Sequence, residues 1–168
     1  TYAHTSNILA KKYKANILAH NSTYFSNYEK NLKKFTNIFH LNYWIWKSFG
    51  VRYFVYPNLN RIQKNESKKE YYKIYESLKD KKDIENITID GIWIGDLIYD
   101  SYLRDNMTPT IILNNISFKV FLKKSISLFI FWRDFIDKNN IIAINVSHTA
   151  YNLAIPLRIG VKRKIKVI

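Results

Sequence analysis

Residues 141–146 read Ile-Ile-Ala-Ile-Asn-Val, an almost continuous apolar run between two segments with helical spacing. Parallel strands that are buried on both faces have this pattern, because helices cover both sides of their sheet. A long amphipathic helix is predicted before the run, at 117–138, and a short helix after it, to about Ile159. A final strand at 164–168 completes the order helix, strand, helix, strand. This order predicts a βαβ crossover onto a parallel sheet.

The rest of the chain continues the alternation. Further helices are predicted at 2–13, 29–48, 66–78 and 95–104, strands at 15–19, 51–56 and 86–89, and a solvated link at 79–85. The sheet is expected to include Ile17, Phe54, Ile144 and Val167. The chain is therefore predicted to be an α/β protein, with one Rossmann-like domain over residues 1–168, a mostly parallel sheet and helices on both faces.

Composition limits the classes of function. Hydrophobic residues make up 47% of the 168 residues, which is typical of a folded domain. The chain has no cysteine, so disulfides and thiolate zinc sites are excluded, and no histidine spacing matches a metal signature. Glycine-rich phosphate loops are also absent, which argues against a nicotinamide dehydrogenase or a P-loop NTPase. No apolar run approaches the roughly 20 residues of a membrane span. The expected location is the cytoplasm, with peripheral association at the inner face of the cytoplasmic membrane left open.

The charge balance is strongly basic, with 27 Lys and Arg against 13 Asp and Glu and a net charge of +14. Such a field attracts polyanions, which include nucleic acid, an anionic membrane surface and sugar nucleotides. A genome rich in lysine codons explains the same composition without a function. The lysine pairs are scattered along the chain and the aromatic residues have core spacing, which argues against nucleic acid as the partner.

The segment 90–104, Asp-Gly-Ile-Trp-Ile-Gly-Asp-Leu-Ile-Tyr-Asp-Ser-Tyr-Leu-Arg, carries the first group of candidate site residues. Asp96, Asp100 and Arg104 follow at i, i+4 and i+8, so they lie on one side of the predicted helix, with Tyr99 adjacent. The structural interpretation is that Asp96 lies at or near the N-cap and that Asp100 pairs with Arg104. The functional interpretation is that Arg104 and Tyr99 hold an anionic or hydroxyl-rich ligand while an Asp positions or deprotonates a sugar hydroxyl.

The second group begins at Ser147-His148-Thr149, where the buried strand ends and a helix begins. Ligands of parallel sheets gather at this edge, and a helix N-terminus there offers free N–H groups to phosphate. His148 is a candidate general base or phosphate ligand. Alternatively, Ser147 is only an N-cap and His148 a turn residue. We expect both groups to meet at one cleft on the carboxyl edge of the sheet.

Both segments resemble bacterial capsular and surface polysaccharide biosynthesis proteins, in Gly-Ile-x-Ile-Gly-Asp-Leu-Ile-Tyr-Asp-Ser-Tyr-Leu-Arg (91–104) and in Ser-His-Thr-x-Tyr (147–151) followed by an Arg and a Gly. These proteins look like glycosyltransferases of the GT-B type, which have two Rossmann-like domains facing each other across a cleft. The resemblance implies that this chain is the N-terminal domain and that the donor-binding C-terminal half is absent, so that the chain alone is inactive. A start without Met and an end on a predicted strand also suggest a piece of a longer protein.

The resemblance implies a transfer of sugar from a nucleotide donor to a glycan or lipid-linked acceptor, without a metal or another cofactor. Candidate catalytic residues are His148, Asp96 and Asp100, and candidate substrate-binding residues are Tyr99, Arg104, Ser147, Tyr151 and Arg158. Pro156 departs from the family pattern, because it kinks or ends a helix that should be continuous and so affects the placement of Arg158. The alternative function is a non-catalytic basic module that binds an anionic membrane or nucleic acid.

Overall fold

The computed structural model describes residues 2–20, 47–146 and 149–168. The chain divides into two compact units, Thr1–Tyr56 and Pro57–Ile168, here called the N-terminal unit and the C-terminal unit. None of the helices in the described part of the chain is both long and apolar enough to cross a lipid bilayer.

The N-terminal unit contains helix α1, Tyr2–Tyr13, and the parallel strands β1, Ile17–His20, and β2, Val51–Val55. Helix α1 ends where it does because Lys14 adopts the left-handed conformation, with φ of 51°, which is the usual backbone state just after a helix. The N–H of Ala15 then bonds to the carbonyl of Ala10 at 2.9 Å and closes the last turn.

The predicted helix at 29–48 lies largely outside the described residues. Only Lys47 and Ser48 of it are described, and both are helical.

The C-terminal unit is mainly helical. Its helices are α2 (Arg61–Ser77), α3 (Lys81–Glu85), α4 (Gly95–Asn106), α5 (Ile116–Lys138) and α6 (Ile155–Lys162), with a 3-10 turn at Asn152–Ala154. Its strands are β3 (Thr88–Ile89), β4 (Ile92–Trp93), β5 (Ala143–Ile144) and β6 (Lys166–Val167). The core therefore depends on helix packing.

Helix α5 is the central element of this core. Its fully buried side chains include Phe118, Leu122, Ile126 and Phe129, which recur at helical spacing on the face that the other helices cover. Helix α2 packs against α5 in the antiparallel direction. Gln63 near the start of α2 bonds Asp134 near the end of α5. One turn later on α2, Ser67 bonds Ser127, which lies seven residues before Asp134 on α5.

Helix α3 lies where the sequence predicted a link, and local capping explains why a helix forms there. Asp80 accepts hydrogen bonds from the N–H groups of Lys82 and Asp83, and the Asp83 side chain accepts one back from Asp80. This capping box starts α3 at Lys81, so the prediction of a solvated link at 79–85 is wrong.

The predicted Rossmann-like sheet with helices on both faces is also wrong. The described residues form three separate two-stranded sheets, β1 with β2, β3 with β4 and β5 with β6. Ile17 and Phe54 do lie in one parallel pair, and Ile144 and Val167 in another, but no strand of the described residues joins the pairs.

Burial gives the reason for this difference. The run 141–146 is only half-buried, and Ile142 is exposed, whereas the apolar faces of the helices are buried against one another. Strand β5 therefore pairs with β6 over two residues, with α6 as the crossover, and no broader sheet is built.

Candidate functional site

The N-terminus of α4 is held against the end of α3. A Cβ at Gly95 would lie 2.2 Å from the carbonyl oxygen of Ile84 and 2.3 Å from that of Glu85, so only glycine permits this approach. The helix begins after Ile94 without a side-chain cap, and Asp96 lies in the first turn. The carboxylate of Asp96 does not cap the helix and is directed to a partner elsewhere in the chain.

That partner is Arg158, near the start of α6. Its guanidinium donates to both carboxylate oxygens of Asp96, with one distance of 2.9 Å, and to the carbonyl of Trp93 at 2.8 Å. It also lies over the indole ring of Trp93, at 4.7 Å from the ring centre. Pro156 stands in the first turn of α6, where its missing N–H costs nothing, so the helix starts there and presents Arg158 to α4.

Trp93 is a residue that the sequence analysis did not select. Its indole N–H donates to the carbonyl of Glu85 at 2.6 Å, yet 51% of the residue is exposed. A fixed and half-exposed indole beside a bidentate ion pair offers an aromatic surface next to polar groups. In the sequence, Trp93 stands between Ile92 and Ile94. Side chains of a strand alternate between its two faces, so the indole lies on the face opposite to the two buried isoleucines.

At the other end of α4, Arg104 contacts the second segment through Tyr151. Its guanidinium lies 4.0 Å from the centre of the Tyr151 ring. Arg104 also pairs with the neighbouring Asp105, with N–O distances of 2.9 and 2.8 Å, so the predicted Asp100–Arg104 pair is wrong. The Asp100 carboxylate is exposed and makes no hydrogen bond or ion pair with a described residue, and Tyr99 beside it is half-buried.

A buried polar cluster lies beneath these contacts. The backbone N–H of Asn152 donates to the Ser101 hydroxyl at 2.7 Å, and its side-chain amide donates to the Ser125 hydroxyl at 2.9 Å. The amide oxygen of Asn152 is buried and has no hydrogen-bond partner among the described residues. The two serines were visible in the sequence as polar residues on otherwise apolar helix faces.

This cluster holds Tyr151 in an unusual backbone state, with φ of 64° and ψ of 179°. Residues other than glycine rarely adopt this conformation, which costs on the order of 1–3 kcal/mol. The hydrogen bonds of Asn152 and the stacking of Arg104 on the Tyr151 ring are the contacts that oppose this cost. The loop before α6 is therefore fixed to both α4 and α5.

The structure thus brings four predicted residues into two contacts, Asp96 with Arg158 and Arg104 with Tyr151. Asp100 and Tyr99 lie on α4 between these contacts. Ser147 and His148 lie outside the described residues, so their predicted roles stay predictions. Among the described residues the two segments meet along α4, and not at the carboxyl edge of a broad parallel sheet.

A separate ionic cluster centres on Arg133 of α5. Its guanidinium bonds both carboxylate oxygens of Glu66 at 2.7 and 2.9 Å, Asp90 at 3.0 Å and Asp134 at 2.7 Å. The hydrogen bonds that Arg133 donates to Glu66, above all, keep the pKa of Arg133 above its usual range. Burial alone would raise the pKa of Asp134, but hydrogen bonds from Arg133 and Gln63 lower it overall. We interpret this cluster as structural, because it joins α2, α5 and the β3–β4 turn with every charge paired.

No group of three or more His, Cys, Asp or Glu side chains in the described part of the chain is placed to hold a metal ion. Comparisons with protein-family models, with curated proteins and with solved structures find no significant match for this chain. The resemblance to polysaccharide biosynthesis proteins therefore rests on the sequence itself and stays a prediction.

Proposed function

We propose that this chain is part of a glycosyltransferase-like protein of surface polysaccharide biosynthesis, and that the solvent side of α4 binds a sugar nucleotide or a phosphorylated glycan at the cytoplasmic face of the membrane. One observation carries the proposal. The two segments that resemble such proteins contact each other twice along α4, at Asp96–Arg158 and at Arg104–Tyr151. The proposal does not depend on a Rossmann-like sheet, because it uses only these side chains and their neighbours.

The chemistry of the surface supports a ligand that is both hydroxylated and anionic. Arg104 is half-exposed on a fixed aromatic ring, which is a suitable arrangement for a phosphate or carboxylate group. The exposed carboxylate of Asp100 can accept a hydrogen bond from a sugar hydroxyl. Trp93 presents a flat apolar face on which the C–H side of a sugar ring, or a nucleobase, can stack.

The dimensions of α4 separate these two ends. Asp96 and Arg104 are eight residues apart, which corresponds to about 12 Å along a helix. A ligand that contacts both ends therefore places a ring near Trp93 and an anionic group near Arg104, as the nucleobase and the diphosphate of an extended sugar nucleotide can. In the proposed transfer an acceptor hydroxyl attacks the anomeric carbon, a base removes its proton, and the nucleoside diphosphate leaves. Asp100 and His148 are the residues proposed for the base.

The test compares Arg104→Ala with Arg61→Ala in the full-length protein. Arg61 is an exposed arginine on α2 and serves as a matched control for the loss of one positive charge. We expect Arg104→Ala to reduce sugar transfer and nucleotide-sugar binding by about tenfold or more, because a charge-assisted contact is lost. Arg61→Ala should change neither. The assay uses uridine and guanosine diphosphate sugars, and thermal melting checks the folding of both variants.

Equal activity of the two variants, or binding of no nucleotide sugar by the unmodified protein, contradicts the proposal. The transfer rate of His148→Ala independently tests whether His148 is the base. An unchanged transfer rate in that variant removes His148 as the base and leaves Asp100 as the proposed group.

A further inference from the structure

The N-terminal unit contains an open groove of about 480 Å³ between the end of α1 and the starts of β1 and β2. Its size lies within the range of small-molecule sites. Four of its lining side chains are cationic, Lys11, Lys14, Lys47 and Arg52. The remaining lining residues are neutral, and two of them, Asn7 and Asn16, carry amide groups.

Among the described residues of the unit, no carboxylate offsets Lys11, Lys14 or Arg52, because residues 2–20 and 47–56 contain neither Asp nor Glu. Glu29 is the single acidic residue anywhere in Thr1–Tyr56. Like charges brought together around one groove repel each other, and this repulsion is relieved when a multiply charged anion binds.

The arrangement is more than the usual enrichment of lysine at a helix C-terminus. Lys11 and Lys14 come from the end of α1, but Lys47 and Arg52 come from a segment more than thirty residues later in the chain. Arg52 is oriented by a hydrogen bond to the Asn16 side chain at 2.9 Å. Lys12 shares the helix end but does not line the groove, and its ammonium group lies over the Tyr13 ring.

The backbone also directs the groove residues. The left-handed turn at Lys14 reverses the chain after α1, so that Lys11 and Lys14 line the same groove. Gly50, with φ of 79°, brings the start of β2 against Asn7, where a Cβ would lie 2.8 Å from the amide oxygen. The lining also includes small and apolar residues, among them Ala10, Ala15 and Val51.

We propose that this groove is a binding site for a diphosphate group. Cations from two distant segments can contact both phosphates at once, whereas a single phosphate would leave part of the set unpaired. A diphosphate can come from a free nucleotide or from a lipid-linked sugar, and the charge chemistry of the groove is the same for both. This site does not rest on the function proposed for α4.

The test measures binding of inorganic pyrophosphate and orthophosphate by calorimetry, at about 0.15 M salt so that diffuse attraction is screened. All proteins carry Arg104→Ala, which removes the phosphate contact proposed for α4. We expect pyrophosphate to bind more tightly than orthophosphate. Lys14→Gln and Arg52→Gln should each weaken pyrophosphate binding by about tenfold, the usual effect of losing a hydrogen bond to a charged group. Lys12→Gln should change it by less than about twofold, since any effect would act only through screened charge.

Two further ligands distinguish the sources of the diphosphate. Tighter binding of uridine diphosphate than of pyrophosphate assigns the groove to a nucleotide, and tighter binding to vesicles that carry a polyprenyl diphosphate assigns it to a lipid-linked sugar. The proposal is overturned if orthophosphate binds as tightly as pyrophosphate. It is also overturned if Lys12→Gln weakens binding as much as Lys14→Gln, because the attraction would then be diffuse.

Discussion

The two units carry the same excess of positive charge but differ in how that charge is paired. The C-terminal unit has 19 Lys and Arg against 12 Asp and Glu, and the N-terminal unit has eight against one, so each has an excess of seven. In the C-terminal unit Arg104, Arg133, Arg158 and Arg163 all form ion pairs. In the described part of the N-terminal unit no carboxylate is present to form one.

This difference shows that net charge alone is a poor guide to function. In the C-terminal unit Arg133, Arg158 and Arg163 join separate elements, and their removal should weaken the fold. In the N-terminal unit the cations line a groove, and their removal should affect binding more than stability. Three further predictions test this contrast, one within the C-terminal unit and two that compare the two units.

The largest effect is expected for Arg133→Ala. This side chain is only 16% exposed and its removal leaves Glu66, Asp90 and Asp134 without their shared cation. We expect a loss of about 2–3 kcal/mol in the free energy of unfolding, between the values for exposed and buried pairs. Arg163→Ala is the control, since the Arg163–Asp137 pair is more exposed, and it should cost less than about 1 kcal/mol. Urea unfolding measures both variants, and equal losses would show that the Arg133 cluster is not a joint between helices.

The second prediction is that the units lose stability in different pH ranges. In the N-terminal unit, burial lowers the pKa of His20 below 6.5, although a hydrogen bond to the Val55 carbonyl opposes the change. Its contribution to stability is complete above pH 6.5 and is lost as the pH falls through the folded pKa.

In the C-terminal unit, the hydrogen bond from Arg163 lowers the pKa of Asp137 below 3.8, and the pKa of Asp134 is also lowered. These contributions are complete above about pH 4 and are lost only below it. Hydrogen exchange of peptides from each unit, corrected for intrinsic rates, should show protection falling first in the N-terminal unit. A simultaneous loss in both units would mean that neither His20 nor the aspartates control acid stability.

The smallest effect is expected for Lys14→Gly. Lys14 holds a left-handed conformation that costs a residue with a Cβ about 1 kcal/mol, and glycine removes this cost. Met107, after α4, has the same conformation, with φ of 50°, and is 94% exposed. Met107→Gly therefore measures the backbone effect without a change in charge. Hydrogen exchange should show a larger gain in stability for Lys14→Gly than for Met107→Gly, because Lys14→Gly also removes one of the groove cations. A smaller gain would argue against repulsion among the groove cations.

Much of the local structure could be predicted from the sequence. Helix α1 has the predicted bounds, and the predicted helices at 95–104 and 117–138 are observed with ends that differ by no more than two residues. Two local signals were missed, the capping box of Asp80 and Asp83 that starts α3 and the turn at Asp90-Gly91. Asp90-Gly91 between apolar pairs is a strong hairpin signal, and both residues have the positive φ that a two-residue hairpin turn requires, 53° and 69°.

In the candidate site, the positions of residues on the helix were predicted correctly, but their interaction partners were not. The spacing of Asp100 and Arg104 was correct for a helix pair, but the Tyr151 ring and Asp105 hold the arginine instead. Asp96 was placed correctly near the helix start, yet its partner Arg158 lies 62 residues later. Asn152 could not have been selected, because a lone polar residue in a loop gives no sign that two serines from different helices will enclose it.

The order and ends of the helices follow from the amino-acid sequence, because a helix is closed by hydrogen bonds within a few residues and by caps such as Asp80 and Lys14. The sheet did not follow from it. The alternation of helix and strand is compatible with one broad sheet or with several small ones, and the outcome depended on whether apolar helix faces buried each other or the strands. In the C-terminal unit α5 was covered by α2 and α6, and the described strands of that unit pair only in twos. The ion pairs of Arg133, Arg158 and Arg163 followed the same rule, since their partners were set by which elements came together.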